Sequence, residues 1–368
     1  MAEPLRRIEP GTGGITRRVA GRGFTYISAN GRRIRSETLL ERIHQLAVPP
    51  AWSNVWIASQ PNAHIQATGV DAAGRTQYLY HPRWREIRDS EKFIRSLAFA
   101  QRLPTIRRAV TRDLQRTTDG RRRALAAGVR LIDRAGLRVG GAAYAMENGS
   151  FGATTLQRRH VTAEADLIHL VFRGKSAGDW DMRLKDKLLS EYMASIPRTP
   201  PSGPAICYAI TAGRRKDWKP VSDTDINSYL GEIAGHGFTA KDFRTWQGTV
   251  VAACSLSRSS RSGASSPQAM TAAVRDAAEW LHNTPTVARE SYINPRVLAL
   301  FEQGIVADLA RNRDSAVYAL LTAAHDPKRR PPHSTALPRN HTDVPARSDP
   351  HHHDKPNLKA YLPTANPN

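Results

Sequence analysis

The chain has 368 residues, enough for two domains and a tail, and its lysines and arginines outnumber its acids by 21. A surplus that large suits a polyanion, nucleic acid before an anionic membrane surface, and bears on association rather than on fold. No apolar run approaches the ~18 residues of a membrane-spanning helix, Met1-Ala2-Glu3-Pro4 opens no secretory signal, and Cys207 and Cys254 are too few for a disulfide framework, which leaves a cytoplasmic, nucleoid-associated protein.

In chain order, Pro10-Gly11-Thr12-Gly13-Gly14 is a flexible entry. From Phe24 to about Tyr80 short strand-like pieces, Gly23–Ile27 and Val55–Ala58 among them, are separated by the turn signals Asn30-Gly31, Val48-Pro49-Pro50 and Asp71-Ala72-Ala73-Gly74. One helix is expected from Ser36 to Leu46, with Leu39, Leu40, Ile43 and Leu46 on one face. Residues 1–90 therefore read as a small β-rich domain. From about residue 91 the period becomes helical. Leu125, Val129 and Ile132 form a stripe ending at Gly136, a helix C′ residue, and Leu184, Leu188, Tyr192 and Ile196 form another before Pro197. Ser222 with Asp225, and Thr239 with Asp242, are capping-box starts, while Thr284-Pro285 begins a short helix that ends near Tyr292. Between the helices, 165–172 alternates as a strand, Gly174-Lys175-Ser176-Ala177-Gly178 makes a hairpin tip, and Trp180-Asp181-Met182 returns. Residues 91–325 are thus a larger, mainly helical domain containing a β-hairpin. Residues 326–368, rich in Pro, His and Arg, hold too little apolar surface to order themselves and read as a disordered tail. Within that tail, His351-His352-His353 reads as solvated polar tract rather than as a metal site.

Tyr292 carries the chemistry. A phenol with a pKa near ~10 is a poor nucleophile at neutral pH unless cations stabilise its phenolate. Arg138, Lys175 and Arg244 precede it, and two guanidiniums with an ammonium are what transfer of a phosphoryl group onto such an oxygen requires. Taken singly, each has a plainer reading: Arg138 a surface arginine after a helix end, Arg244 and Lys241 part of a solvated helix face, Tyr292 a helix residue. Gly174-Lys175-Ser176 imitates the end of a phosphate-binding loop, but the position five residues before Gly174 holds His169, so nucleotide use is not supported. Asn283 offers an amide that donates to a phosphate oxygen without charge, with His282 beside it. In the β-rich domain, Gln77 has the groups to read an adenine edge, and Tyr78 and Tyr80 alternate onto one side of a strand, where they either meet DNA or pack. Arg17, Arg18, Arg22, Arg32, Arg33, Arg83, Arg85 and Arg88 are candidate phosphate contacts.

The strings Gly136-Leu137-Arg138-Val139-Gly140-Gly141, Glu147 to Gly152, Arg158-Arg159-His160-Val161, Phe172-Arg173-Gly174-Lys175, Lys241 to Trp246 and Asn283 to Tyr292, in this order, resemble the type IB DNA topoisomerases, in particular the compact bacterial and poxvirus branch. The resemblance spans about residues 14 to 311. It implies an α+β chain of the type IB topoisomerase/tyrosine recombinase kind, acting as a monomer on double-stranded DNA without metal, nucleotide or other cofactor. It makes Tyr292 the nucleophile that forms a 3′-phosphotyrosyl bond, Arg138 and Arg244 the phosphate-binding arginines, and Lys175 the acid that protonates the departing 5′ oxygen. Asn283 replaces the histidine many members carry, Lys241 assists with phosphate charge, and Gln77, Tyr78 and Tyr80 contact the major groove. Tyrosine recombinases carry histidine three residues before the second arginine, where this chain has Lys241. A site-specific recombinase and a non-catalytic basic DNA-binding protein are the alternatives.

Overall fold

The computed structural model describes residues 4–115, 118–174, 178–212, 215–235, 237–310 and 312–323. It divides into two compact units, one ending at Arg95 and the other starting at Ser96. The proposed tail at 326–368 and Lys175 lie outside the described residues.

The first unit is a five-stranded antiparallel sheet in the order β2-β1-β3-β4-β5, built from β1 (Ile15–Ala20), β2 (Gly23–Ile27), β3 (Ser53–Ile57), β4 (Ile65–Val70) and β5 (Thr76–Tyr80). Helix α1 (Glu37–Gln45) lays its apolar stripe on one face, where Leu39, Leu40 and Ile43 pack with Ile15, Tyr26, Val55, Ile57 and Ala67. The strand and helix expectations for this region are met. Arg17 departs from its expected role as a phosphate contact. Its guanidinium donates to the carbonyls of Val48 (3.2 Å), Pro49 (3.0 Å) and Trp52 (2.6 Å) and covers the Phe24 ring at 4.1 Å. A proline-rich loop has few amide donors of its own, so Arg17 satisfies its carbonyls and is occupied.

The second unit is mainly helical. Helix α2 (Pro82–Gln115), which belongs to this unit from Ser96 on, starts earlier than the onset read near residue 91, because its first turns are charged and display no apolar stripe. It packs with α3 (Gly120–Ala135), α5 (Lys187–Ala194), α6 (Asp223–Ala234) and α7 (Ala240–Arg261) around Phe99, Leu103, Leu131, Phe243 and Trp246. Strands β6 (Val161–Glu164), β7 (Leu167–Arg173) and β8 (Asp179–Lys185) form an antiparallel sheet after the short helix α4 (Ala142–Asn148). Leu184 belongs to β8, correcting the helical stripe read from 184 to 196: Trp180, Met182 and Leu184 alternate inward, and Asp186 caps α5 by accepting from the Leu189 N–H at 3.2 Å. Apolar residues four apart satisfy both periods, and only the cap separates them. The hairpin of β9 (Cys207–Ala212) and β10 (Arg215–Pro220) was not foreseen, since the partner strand is too polar to alternate visibly. Tyr192 pins it to α5, its hydroxyl donating to the Cys207 carbonyl (2.7 Å) and accepting from the Cys207 N–H (2.9 Å). Helices α8 (Ser266–Leu281), α9 (Pro285–Ser291), α10 (Pro295–Glu302) and α11 (Arg313–Ala323) complete the unit.

Arg17→Ala is expected to lower the unfolding free energy of the first unit by about 1–2 kcal/mol, the scale of partly buried carbonyls that lose their hydrogen bonds. Arg18→Ala, on an exposed position of the same strand, is expected to change it by less than ~0.5 kcal/mol. Urea unfolding of both variants checks the ranking, and equal effects would refute the structural role of Arg17.

Candidate active site

Three segments deliver side chains to one place in the second unit. The first is the turn after α3. Gly136 takes the left-handed conformation (φ 65°) that ends the helix, and the chain runs on to half-buried Arg138. This turn is held by the segment at Gly152–Thr155: Ala153 N–H donates to the Arg138 carbonyl (2.9 Å), Thr154 N–H to that of Val139 (2.8 Å), and the Thr154 hydroxyl to that of Gly140 (2.9 Å). A Cβ on Gly152 would sit 2.7 Å from the Arg138 carbonyl oxygen, so only glycine allows this approach. The Glu147–Gly152 string seen in the sequence therefore ends as the clamp on the first arginine.

The second is the start of α7. Thr239 and Asp242 form the expected capping box, and Arg244 follows one turn into the helix. The alternative of a solvated face is overturned, for Arg244 is only 3 % exposed. Its guanidinium donates to the backbone carbonyls of Gly136 and, at 2.8 Å, Leu281. Burial first, then repulsion from Arg138, pulls its pKa down to about 10, so it stays cationic at neutral pH. Lys241 is exposed on the first turn.

The third is the stretch from α8 to α9. His282 adopts a left-handed conformation (φ 46°) as the cap of α8, and the Asn283 N–H donates to the Ala278 carbonyl at 2.9 Å. This turn brings Oδ1 of Asn283 to Nη2 of Arg138 at 2.6 Å and leaves Nδ2 of Asn283 buried without a partner. His282 turns the other way, stacking on Trp180 of β8 with ring centroids 3.7 Å apart. Burial, reinforced by Arg244, lowers its pKa to about 4, so it is neutral at physiological pH.

Tyr292 closes α9 directly after its last residue. Its side chain is 7 % exposed, its hydroxyl accepts from Nη1 of Arg138 at 3.4 Å, and the Arg244 guanidinium stands 5.2 Å from its ring centre. Burial alone would raise the phenol's pKa, but the two guanidiniums outweigh it and the net shift is downward. The sequence did not reveal what holds the phenol's backbone. A Cβ on Gly248 of α7 would lie 2.8 Å from Cβ of Tyr292 and 3.1 Å from its carbonyl oxygen. The neighbouring Thr249 hydroxyl donates to that carbonyl (3.0 Å) and accepts from the Asn294 N–H (3.0 Å).

The site thus brings Arg138, Arg244, Asn283 and Tyr292 together. Lys175 falls within residues 175–177, outside the described part; the hairpin that bears it is closed by a hydrogen bond from the Gly174 N–H to the Gly178 carbonyl at 2.8 Å. Among the described residues no cluster of three His, Cys, Asp or Glu side chains is built to hold a metal ion.

Residues 81–305, more than half of the chain, match the family described as eukaryotic DNA topoisomerase I, catalytic core. The chain belongs to the type IB DNA topoisomerases. Residues 23–71 match the bacterial DNA topoisomerase IB N-terminal domain. A DNA topoisomerase 1B of Acanthamoeba polyphaga mimivirus is 28 % identical over 316 residues, covering 84 % of this chain and 93 % of that relative. The recombinase and non-catalytic alternatives are set aside on these matches: this is a topoisomerase, an isomerase that acts on DNA. Among its described residues no helix is long and apolar enough to cross a membrane.

In the topoisomerase's first unit, Tyr78 and Tyr80 project from edge strand β5, 44 % and 38 % exposed, with their rings stacked at 6.1 Å. Gln77 points to the opposite face and donates to Oδ2 of Asp71 at 2.8 Å. The Arg75 backbone N–H and guanidinium, with Gln77 adding its amide, hold the Asp71 carboxyl down at about 2. One amide hydrogen of Gln77 is thereby engaged by a carboxylate.

Gly248→Ala is expected to push Tyr292 out of line and slow DNA cleavage on the order of 10²-fold, the usual penalty for misplacing a reacting group by about an ångström. A rate within about twofold of wild type in a single-turnover assay would refute the close-approach argument. In an ultraviolet titration, the difference between wild type and Tyr292→Phe is expected to show a phenol ionising below the ordinary ~10, and Arg138→Ala to move that step upward. A step unmoved by the arginine change would mean the cation does not stabilise the phenolate.

Proposed function

We propose that Tyr292, its phenol proton passing to solvent, attacks a phosphodiester of duplex DNA, forming a 3′-phosphotyrosyl bond as the bond from phosphorus to the 5′ oxygen breaks. Lys175 gives a proton to that departing oxygen, which leaves as a hydroxyl. Arg138 and Arg244 take the charge that builds on the non-bridging oxygens, and Asn283 adds a neutral donor. The observation that carries this reading is the convergence of two guanidiniums on one buried phenol, with the Asn283 amide held against the first of them and its Nδ2 lacking an acceptor. A buried donor without a partner costs about 1–3 kcal/mol, so the site is built for an anion it does not itself supply. The broken strand rotates about the intact one and supercoils relax. The 5′ hydroxyl then attacks the phosphotyrosine and reverses each step. Bond energy is kept in the phosphotyrosine, so resealing needs no nucleotide.

Lys241, exposed beside the site, serves phosphate charge at longer range. Tyr78 and Tyr80 offer apolar ring faces at a sheet edge to the DNA groove, with Gln77 as the base-reading partner once released from Asp71. The match of residues 23–71 to a bacterial N-terminal domain supports a bacterial enzyme, and action as a monomer on nucleoid DNA belongs to the same proposal.

Tyr292→Phe is expected to keep duplex binding and lose both supercoil relaxation and the covalent adduct seen in a denaturing gel; surviving adduct would end the assignment. Asn283→Ala is expected to slow cleavage more than His282→Ala, since only Asn283 faces Arg138. The reverse ranking would show that the phosphate sits on the histidine side.

A further inference from the structure

Two and three residues past Arg244, helix α7 enters a partly buried ring of polar contacts that none of the chemistry above uses. Trp246, fully buried, donates from Nε1 to Oδ1 of Asp314 at 2.7 Å. The other oxygen of Asp314 accepts from Nη1 of Arg107 at 2.7 Å. The remaining edge of that guanidinium grips Asp133 in a fork, Nε to Oδ2 at 2.8 Å and Nη2 to Oδ1 at 2.9 Å. Gln247 closes the ring by donating from Nε2 to the backbone carbonyl of Asp133. One arginine and two carboxylates thereby tie α2, α3, α7 and α11 at a single point.

The location of this point matters more than its strength. Asp133 lies in the last turn of α3, just before Gly136, whose carbonyl receives Arg244, and five residues before Arg138. Trp246 and Gln247 lie in the turn of α7 that carries Arg244. The ring therefore fixes the two helices that present the two arginines, which repel each other while no anion lies between them. A forked guanidinium–carboxylate pair fixes orientation as well as distance, which a purely apolar contact between helices does not. One member of the ring also lies outside the recognised catalytic core. The family match ends at residue 305, whereas Asp314 stands at the start of α11.

We propose that Arg107, Asp133 and Asp314 form a positioning unit for the cleavage reaction, and that α11, through Asp314, is a working part of the active site although it follows the matched core. The unit touches neither DNA nor Tyr292. It acts by holding α7 on α3 so that Arg244 and Arg138 share one phenol, and it rests on the reading of Tyr292 as the nucleophile.

The test uses the full chain, with single-turnover cleavage of a nicked-end duplex and duplex affinity measured separately. Trp246→Phe removes one hydrogen bond of the ring and keeps an aromatic core residue. It is expected to slow adduct formation about 5–10-fold with duplex affinity within about twofold of wild type. Asp314→Ala is expected to slow it about 10²-fold with the same small change in affinity, and Asp314→Asn, which still accepts from Trp246, to recover part of that loss. If the variants melt at lower temperature yet cleave at the wild-type rate well below their melting points, the ring is structural only and the proposal falls. It falls equally if the rate losses match losses of affinity. Failure of the nucleophile reading looks different: the wild-type chain itself would then form no adduct at Tyr292, whatever the ring variants do.

Discussion

The site depends on keeping two like charges together inside the protein. Arg244 is almost wholly buried beside Arg138, an arrangement opposed by both desolvation and repulsion. Three features of the site oppose that cost. Backbone carbonyls of Gly136 and Leu281 receive Arg244, the Asn283 carbonyl oxygen receives Arg138, and the phenol of Tyr292 lies against both cations. All four acceptors are neutral groups, so none of them compensates the charge of the two guanidiniums. A phosphodiester, or the phenolate itself, is what the surroundings lack. This is preorganisation in the electrostatic sense: the dipoles and charges are in place before the reaction creates the charge they stabilise.

Much of this was legible in the sequence because it is written in local signals. Gly136 ends a helix, Thr239 with Asp242 begins one, and Thr284-Pro285 begins another, so Arg138, Arg244 and Tyr292 each sit a short, countable distance from a helix end. Long-range packing was not legible. Nothing near Gly248 announces that a tyrosine forty-four residues later needs its missing side chain, and nothing near Arg17 announces a carbonyl-rich loop thirty residues away. Charge count also misled, because an arginine serving backbone carbonyls and one awaiting a phosphate have the same letter. The misread stripe at Leu184 came from a spacing common to strands and helices, decided only by Asp186.

The pairing of His282 with Trp180 bears on how the enzyme treats acid. A histidine facing the phosphate would change its charge across the physiological range. Here the histidine is stacked away and neutral, and the amide that faces Arg138 cannot titrate. On the chemistry proposed above, anion recognition is therefore uncoupled from the ionisation of His282. The hairpin beyond Trp180 gains, through the same stack, a mechanical link to the turn that aims Asn283.

The seating of Tyr292 against Gly248 and Thr249 carries one more implication. A nucleophile hung on a mobile loop would wander once joined to its product, and so would the strand it holds. Tyr292 is bolted through its own main chain to helix α7, which is buried over most of its length. On the chemistry proposed above, the captured 3′ terminus inherits that immobility while the 5′ terminus leaves as a hydroxyl. That asymmetry describes a swivel: one DNA end is the fixed axle housing, the other turns, and the fixed end is still waiting in register when the turning stops.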